Sequence, residues 1–124
     1  MNSETLAREL GDRMNEVLPP GIRISAEGDM LVFRSDFDTG TSGSYACQWL
    51  HQGTGILAER VREACRRAFS DLQDFVDEKT TAPWPGRRTP PNPNARIENG
   101  SVIIWFGDEQ APDLVMPPLL LDEH

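Results

Sequence analysis

The clearest pattern in this chain is a stripe of apolar residues near its middle, spaced as on one face of a helix. Its members recur at steps of three and four residues: Leu57, Val61, Ala64, Cys65, Ala68, Leu72, Phe75 and Val76, with Ile56 and Phe69 widening the stripe. That is the 3.6-residue period of an α-helix. Thr54 offers a hydroxyl to cap the start, and Pro83 lies beyond the end. We therefore predict one long amphipathic helix packed on a sheet.

The residues before this helix carry shorter patterns that predict a first helix and three strands. Apolar residues fall on one side of a helix over residues 3–18, which begins with Ser3 as its N-cap and is stopped by Pro19-Pro20-Gly21. Apolar and polar residues then alternate as on a half-buried strand. The predicted strands are residues 22–26, 30–34 and 45–50, with a polar loop over residues 35–44.

The residues after the long helix predict a β-hairpin. Asn99-Gly100 is a dipeptide that fits a type I′ turn, and it separates strands over residues 95–98 and 101–106. The second of these is apolar on both faces, so we expect it to be central in the sheet. The remaining expected segments are a proline-rich irregular loop over residues 80–94, an edge strand over residues 114–116 and an extended C-terminal tail over residues 112–124.

The composition indicates one acidic globular domain. The 124 residues, 38% of them hydrophobic and 26% charged, are enough for a single core. The net charge of −8 disfavours nucleic acid and anionic membranes as partners and favours basic proteins or peptides. No apolar run has the roughly 18–20 residues of a membrane span, and the polar residues 1–8 do not read as a signal peptide. We therefore expect a cytoplasmic protein with Cys47 and Cys65 as reduced core residues.

The element order is helix, three strands, long helix and two strands, which is an α+β fold with an antiparallel sheet. Together with the acidity, this order resembles the type III secretion chaperone-like fold, which YbjN-type peptide-binding chaperones share. The resemblance covers about residues 3–106 and rests on element order and composition. It implies a protein, usually dimeric, that holds segments of other polypeptides. Those chaperones commonly end in a further helix, whereas residues 112–124 here are interrupted by prolines.

Charge is segregated along the long helix. Residues 55–67 hold four arginines against two glutamates, whereas residues 68–79 hold four carboxylates against one lysine. The helix macrodipole favours the opposite arrangement. One interpretation is a solvated face. The other is self-recognition in a two-fold dimer, where antiparallel helices set a basic pair of one chain against an acidic pair of the other. The residues of these pairs are Arg62, Arg66, Asp74 and Asp77.

One short motif could carry catalysis. Asp38, Thr39 and Gly40 lie between Phe37 and Thr41, and they resemble the active-site motif of aspartic proteases, in which two carboxylates share one proton. A chain with a single such aspartate would have to dimerise. Those enzymes are almost wholly β-structured, so a long helix soon after the motif does not fit, and the same residue types are common in turns.

Metal and nucleotide motifs are incomplete in this chain. The aspartates of residues 36–38 begin an EF-hand-like spacing, but Gly40 and Cys47 stand where further ligands are needed. Structural zinc is typically marked by a Cys-x-x-Cys pair, which the sequence lacks. The glycines of residues 51–55 match neither nucleotide-binding fingerprint. We predict no cofactor and no metal.

These observations predict a non-catalytic domain, chaperone- or adaptor-like, that binds proteins or peptides with both basic and apolar residues. The candidate contacts are the long helix, the sheet face around Trp49 and Trp105, and Trp84 in the proline-rich loop. We expect a homodimer. Two alternatives stay open: a homodimeric aspartic protease using Asp38, and an acidic inhibitor that masks a basic partner.

Overall fold

The computed structural model describes residues 2–36, 41–48, 50, 56–80 and 92–120. Its elements confirm the predicted α+β class and the order of helices and strands. They are α1 (Ser3–Asn15), β1 (Ile22–Glu27), β2 (Met30–Ser35), β3 (Thr41–Ser44), a 3₁₀ turn (Ala46–Gln48), α2 (Leu57–Thr80), β4 (Pro93–Glu98), β5 (Ser101–Gly107), β6 (Pro112–Val115) and β7 (Leu119–Leu120).

Helix α1 differs from the prediction at both ends. The N-cap is Asn2, not Ser3: the Asn2 side chain accepts a hydrogen bond of 2.8 Å from the Thr5 backbone N–H, and Ser3 is buried in the first turn. The helix ends at Asn15, whose side-chain amide donates to the Ile24 carbonyl and accepts from the Ile24 N–H at 2.9 and 3.0 Å. This side chain therefore fastens the end of α1 to β1.

The first sheet has the antiparallel order β1-β2-β3. The predicted third strand over residues 45–50 is wrong, because β3 lies in the segment taken as a polar loop and residues 46–48 form the 3₁₀ turn. Cys47 and Leu50 are both buried, and their spacing of three residues is helical. A strand would have turned these two side chains to opposite faces. The apolar residue types in this segment favoured a strand. The three-residue spacing of Cys47 and Leu50 indicated a helical turn instead.

The second sheet places β5 between β4 on one edge and the short strands β6 and β7 on the other. The central position predicted for this strand is therefore confirmed. Asn99 and Gly100 adopt φ values of 50° and 78°, the left-handed conformation that a type I′ turn requires. Both Pro93 and Pro112 begin a strand, a position that proline tolerates.

Two predicted irregular segments are partly regular. Helix α2 continues to Thr80 and β4 begins at Pro93, so both ends of the predicted 80–94 loop lie in secondary structure, and residues 81–91 lie outside the described residues. Within the predicted 112–124 tail, β6 and β7 both pair with β5, and β6 begins two residues before the predicted edge strand. The two short strands complete the sheet edge on either side of Pro117-Pro118.

A single core joins the two sheets through α2. The Phe75 ring lies 5.5 Å from the Phe33 ring of the first sheet, and the Phe69 ring lies 5.8 Å from the Phe106 ring of the second. The stripe predicted for this helix is buried from Val61 to Val76. Its N-terminal members Ile56 and Leu57 are instead exposed, so the apolar stripe begins one turn before the packed part of the helix.

One side chain connects the C-terminal strands to α1. Arg13 donates from Nε to the Pro118 carbonyl at 2.9 Å, and from Nη1 to the carbonyl and carboxylate of Glu9 at 3.1 and 2.6 Å. Its side chain is largely buried, with 17% of the surface exposed. Residues 105 positions apart are thereby joined by a charge-assisted hydrogen bond.

We predict that Arg13→Met lowers the free energy of unfolding by about 1.5–3 kcal/mol, the range for hydrogen bonds to charged groups. Methionine keeps most of the aliphatic packing, so the change isolates the guanidinium bonds. Urea unfolding followed by circular dichroism measures this difference. The matched control is Arg8→Met on the same helix, where the side chain is exposed and we expect a change within about 0.5 kcal/mol. Equal effects of the two variants would show that the bond to Pro118 contributes nothing.

Candidate functional site: an acidic groove beside a strand edge

A groove of about 510 Å³ separates β3 from the C-terminal half of α2. Its volume lies within the roughly 300–1,000 Å³ of typical ligand sites. The residues on its β3 side are Thr41, Ser42, Gly43 and Tyr45, and those on its α2 side are Asp71, Asp74, Phe75, Glu78 and Lys79. The groove therefore has a polar strand along one wall and a mainly acidic helix along the other.

The β3 wall presents the edge of a sheet. β3 pairs with β2, and within the described ranges no strand pairs with its other side. The first three residues of β3 are exposed, and the fourth, Ser44, is buried. Unpaired N–H and C=O groups at such an edge are a ready template for another extended chain. Tyr45, with 63% of its surface exposed, follows directly after the strand.

The α2 wall is one stripe of the helix. Asp71, Asp74, Phe75 and Glu78 are spaced by three and four residues, so they lie on the same side. Phe75 is buried and forms the floor, since its ring packs on Phe33. Lys79 is the one cation among the lining residues; its Nζ lies 5.7 Å from the Phe75 ring centre and 3.8 Å from the Glu78 carboxylate. Three carboxylates against one ammonium leave the groove negative.

One hydrogen bond links the two walls of the groove. The Ser44 hydroxyl donates to the Asp71 carboxylate at 2.6 Å and accepts from the Ala46 N–H at 3.2 Å. Ser44 is almost fully buried. The other two carboxylates are less engaged: among the described residues Glu78 has only the distant Lys79 contact, and Asp74 has no hydrogen-bond or ion-pair partner. Asp74 and Glu78 are therefore the carboxylates most available to a ligand.

The sequence predicted one residue of this groove, Asp74. The basic pair assigned to the same helix lies elsewhere: Arg66 is two turns earlier and binds Glu63. That hydrogen bond lowers the pKa of the Glu63 carboxyl and raises the pKa of the Arg66 guanidinium. Arg62 and Asp77 are half-buried on the helix, outside the groove. Self-association through these charges stays a prediction.

Trp105 is not among the residues that line the groove. Its neighbours Ile104 and Phe106 belong to the core, so Trp105 lies on the opposite face of the second sheet, turned away from α2. Its indole N–H donates to the Gly107 carbonyl at 3.0 Å, and the Arg96 guanidinium covers the ring at 5.5 Å. With 8% of its surface exposed, Trp105 offers little area to a partner. The other predicted site residues lie outside the described residues: Asp38, Thr39, Gly40, Trp49 and Trp84.

Sequence reasoning missed most of the groove. Residues 41–43 of its strand wall fall in the predicted polar loop, Tyr45 falls in the predicted strand over residues 45–50, and Glu78 enters the prediction only through the net charge of the helix. One signal was available, because Asp71, Asp74 and Glu78 recur at three- and four-residue steps, which place them in one line. The strand opposite them had no comparable signal, since its residues are small and polar.

The two cysteines do not provide reactive thiols. Both are free and fully buried. Burial, followed by the charge of Asp29, raises the pKa of the Cys47 thiol to about 12, and burial also raises the pKa of the Cys65 thiol. Nucleophilic chemistry requires the thiolate, which is scarce at neutral pH under these conditions. The stability that burial of the neutral Cys47 thiol contributes is fully present below its ordinary pKa near 9, and is lost as the pH rises towards 12.

In comparisons with protein-family models, with curated proteins and with solved structures, nothing matches this chain. Neither described helix combines the length and the apolarity needed to cross a membrane. The described residues also contain no group of three or more His, Cys, Asp or Glu side chains placed to hold a metal ion. The three carboxylates of the groove lie in a line along α2.

We predict that neither Cys47 nor Cys65 reacts with a thiol reagent at pH 8 in the folded protein, whereas both react after unfolding in guanidinium chloride. The reason is that both thiols are buried and their pKa values are raised. Absorbance in an Ellman assay measures the number of reactive thiols. Asp12→Cys, on the exposed side of α1, supplies a positive control that should react within minutes. A rapid reaction of the unmodified protein would contradict the burial described above.

Proposed function

We propose that this domain binds a basic segment of another polypeptide in the groove between β3 and α2. The observation that carries the proposal is the line of three carboxylates facing an exposed strand edge. Carboxylates accept strong, charge-assisted hydrogen bonds from lysine and arginine. The net charge of −8 would also attract a basic partner and speed its approach.

The groove supports a segment better than a whole protein surface. It is a recess between two elements, and its floor is the buried Phe75. A single extended chain can enter such a recess, whereas a flat protein face would touch only its rim. The hypothesis of an acidic inhibitor relies on the same charges, but it would require contacts on a broader surface than these residues provide.

Apolar contact adds to the attraction of charge. Tyr45 lines the groove with 63% of its surface exposed, whereas the buried Phe75 ring is already faced by the Lys79 ammonium group at 5.7 Å, so Tyr45 is the aromatic ring open to a ligand. Aromatic rings attract cations and also pack on the methylene stems of lysine and arginine. The groove therefore favours side chains that are long and basic, which agrees with the basic and apolar partner class predicted from the composition.

We predict that Asp74→Asn with Glu78→Gln weakens the binding of an arginine-containing peptide about tenfold at 50 mM salt. Each exposed ion pair contributes up to about 1 kcal/mol, and tenfold corresponds to about 1.4 kcal/mol. Fluorescence anisotropy of a labelled eight-residue peptide of threonine, serine, valine and two arginines measures the dissociation constant. The loss should shrink at 500 mM salt, because the screening length becomes shorter.

The matched control is Asp12→Asn with Glu59→Gln, which removes the same net charge at two exposed positions outside the groove. We expect this control to change the affinity less than threefold. Equal losses in both double variants would mean that the peptide senses only the overall charge of the protein. In that case the groove is not the binding site and the proposed function is wrong.

A further inference from the structure

We infer that the bound segment adds to the first sheet as a strand beside β3, with basic side chains at alternate positions directed at Asp74 and Glu78. This inference rests on the proposed function and specifies how the segment binds and which sequences it favours. It follows from the register of the sheet, the side chains that already cross the groove and the spacing of the carboxylates.

The register of the first sheet shows which side chains of β3 face the helix. Ser42 is paired with Phe33, and Ser44 is paired with Leu31. Paired residues of antiparallel strands share a face, and both partners are buried in the core beneath the sheet. Ser42 and Ser44 therefore lie on the face turned towards α2.

The bond from Ser44 to Asp71 shows that a side chain on this face reaches the helix. An added strand would lie about 4.8 Å farther out in the plane of the sheet. Its side chains on the same face would project to the side of the sheet on which α2 lies. Asp74 and Glu78 are on that side and line the same groove. On the added strand, a long side chain such as arginine or lysine would reach the helix as Ser44 does from β3.

The spacing of the carboxylates selects alternate residues of the segment. Asp74 and Glu78 are four residues apart, which is about 6 Å along a helix axis. Side chains on one face of a strand are separated by about 6.6 Å, two residues apart. A strand added along this part of α2, which lines the same groove as β3, would bring the two repeats beside each other. A pair of basic residues separated by one residue therefore matches both carboxylates at once.

The backbone of the segment would supply the rest of the recognition. The free side of β3 offers N–H and C=O groups that no strand among the described residues uses. Strand addition satisfies such groups with main-chain hydrogen bonds and leaves specificity to alternate side chains. The intervening side chains of the segment would point away from α2, on the face of the sheet where Arg23 and Arg34 are exposed or half-buried.

The first test varies only the spacing of two arginines in the threonine, serine and valine peptide described above. We expect the isomer with one intervening residue to bind at least fivefold more tightly than isomers with none or with two. In the Asp74→Asn, Glu78→Gln variant the preference should disappear, since both partners are neutral. If all isomers bind alike and the double variant weakens them equally, the groove binds basic peptides without this register, and the inference is wrong while the proposed function stands.

The second test examines the backbone. Two peptides of the preferred sequence carry N-methyl groups on alternate residues, one on the odd positions and the other on the even positions. In an added strand only one of these sets points towards β3, so we expect one peptide to lose at least tenfold in affinity and the other to lose less than threefold. Similar losses in both peptides would overturn strand addition. If neither the parent peptide nor any isomer binds, the proposed function falls together with the inference.

Discussion

The packing of one helix across two separate sheets is the constraint on which the rest of this structure depends. Within the described ranges the two sheets share no strand pairing, and α2 contacts the first through Phe75 and the second through Phe69. Each aromatic pair buries a large apolar area and adds a preferred ring geometry. Because both rings are buried on one helix, the helix fixes the distance between the sheets and leaves its outer sides to solvent.

The groove is a direct consequence of that packing. In the part of the chain that the structure describes, β3 is the last strand of the first sheet, and it shares the groove with the C-terminal part of α2. The bond from the buried Ser44 hydroxyl to the Asp71 carboxylate holds the two elements together beside the groove. The groove is therefore formed by the same helix that packs in the core, together with the edge of the first sheet.

Much of the fold could be predicted from the sequence, because its main signals are local. The long helix, the hairpin around Asn99-Gly100 and the central position of β5 follow from spacing, turn chemistry and two-sided apolarity. β3 could not be predicted in this way, because an edge strand of small polar residues is defined by its partner β2. The split into two sheets is likewise set by tertiary packing.

The candidate site was predicted only in part, for a related reason. The acidic residues of α2 are visible in the sequence, and the proposed preference for basic partners rests on them. Their position beside β3 depends on a contact between residues 27 positions apart, Ser44 and Asp71, which no local pattern encodes. Trp105 shows the converse case, because a tryptophan expected to contact a partner is instead covered by Arg96 and buried.

The charges of α2 also violate a local rule where the groove lies. Asp74 and Glu78 are like charges four residues apart, which weakens a helix. Glu78 also lies in the last turn of α2, where the macrodipole favours cations. Sequences break such local rules most often at functional sites. A basic ligand would remove both conflicts, because it neutralises the carboxylate pair and places positive charge near the helix end. The placement that costs stability in the free protein would therefore favour the proposed bound state, and the charge segregation of the sequence is in this way linked to the binding proposed for the groove.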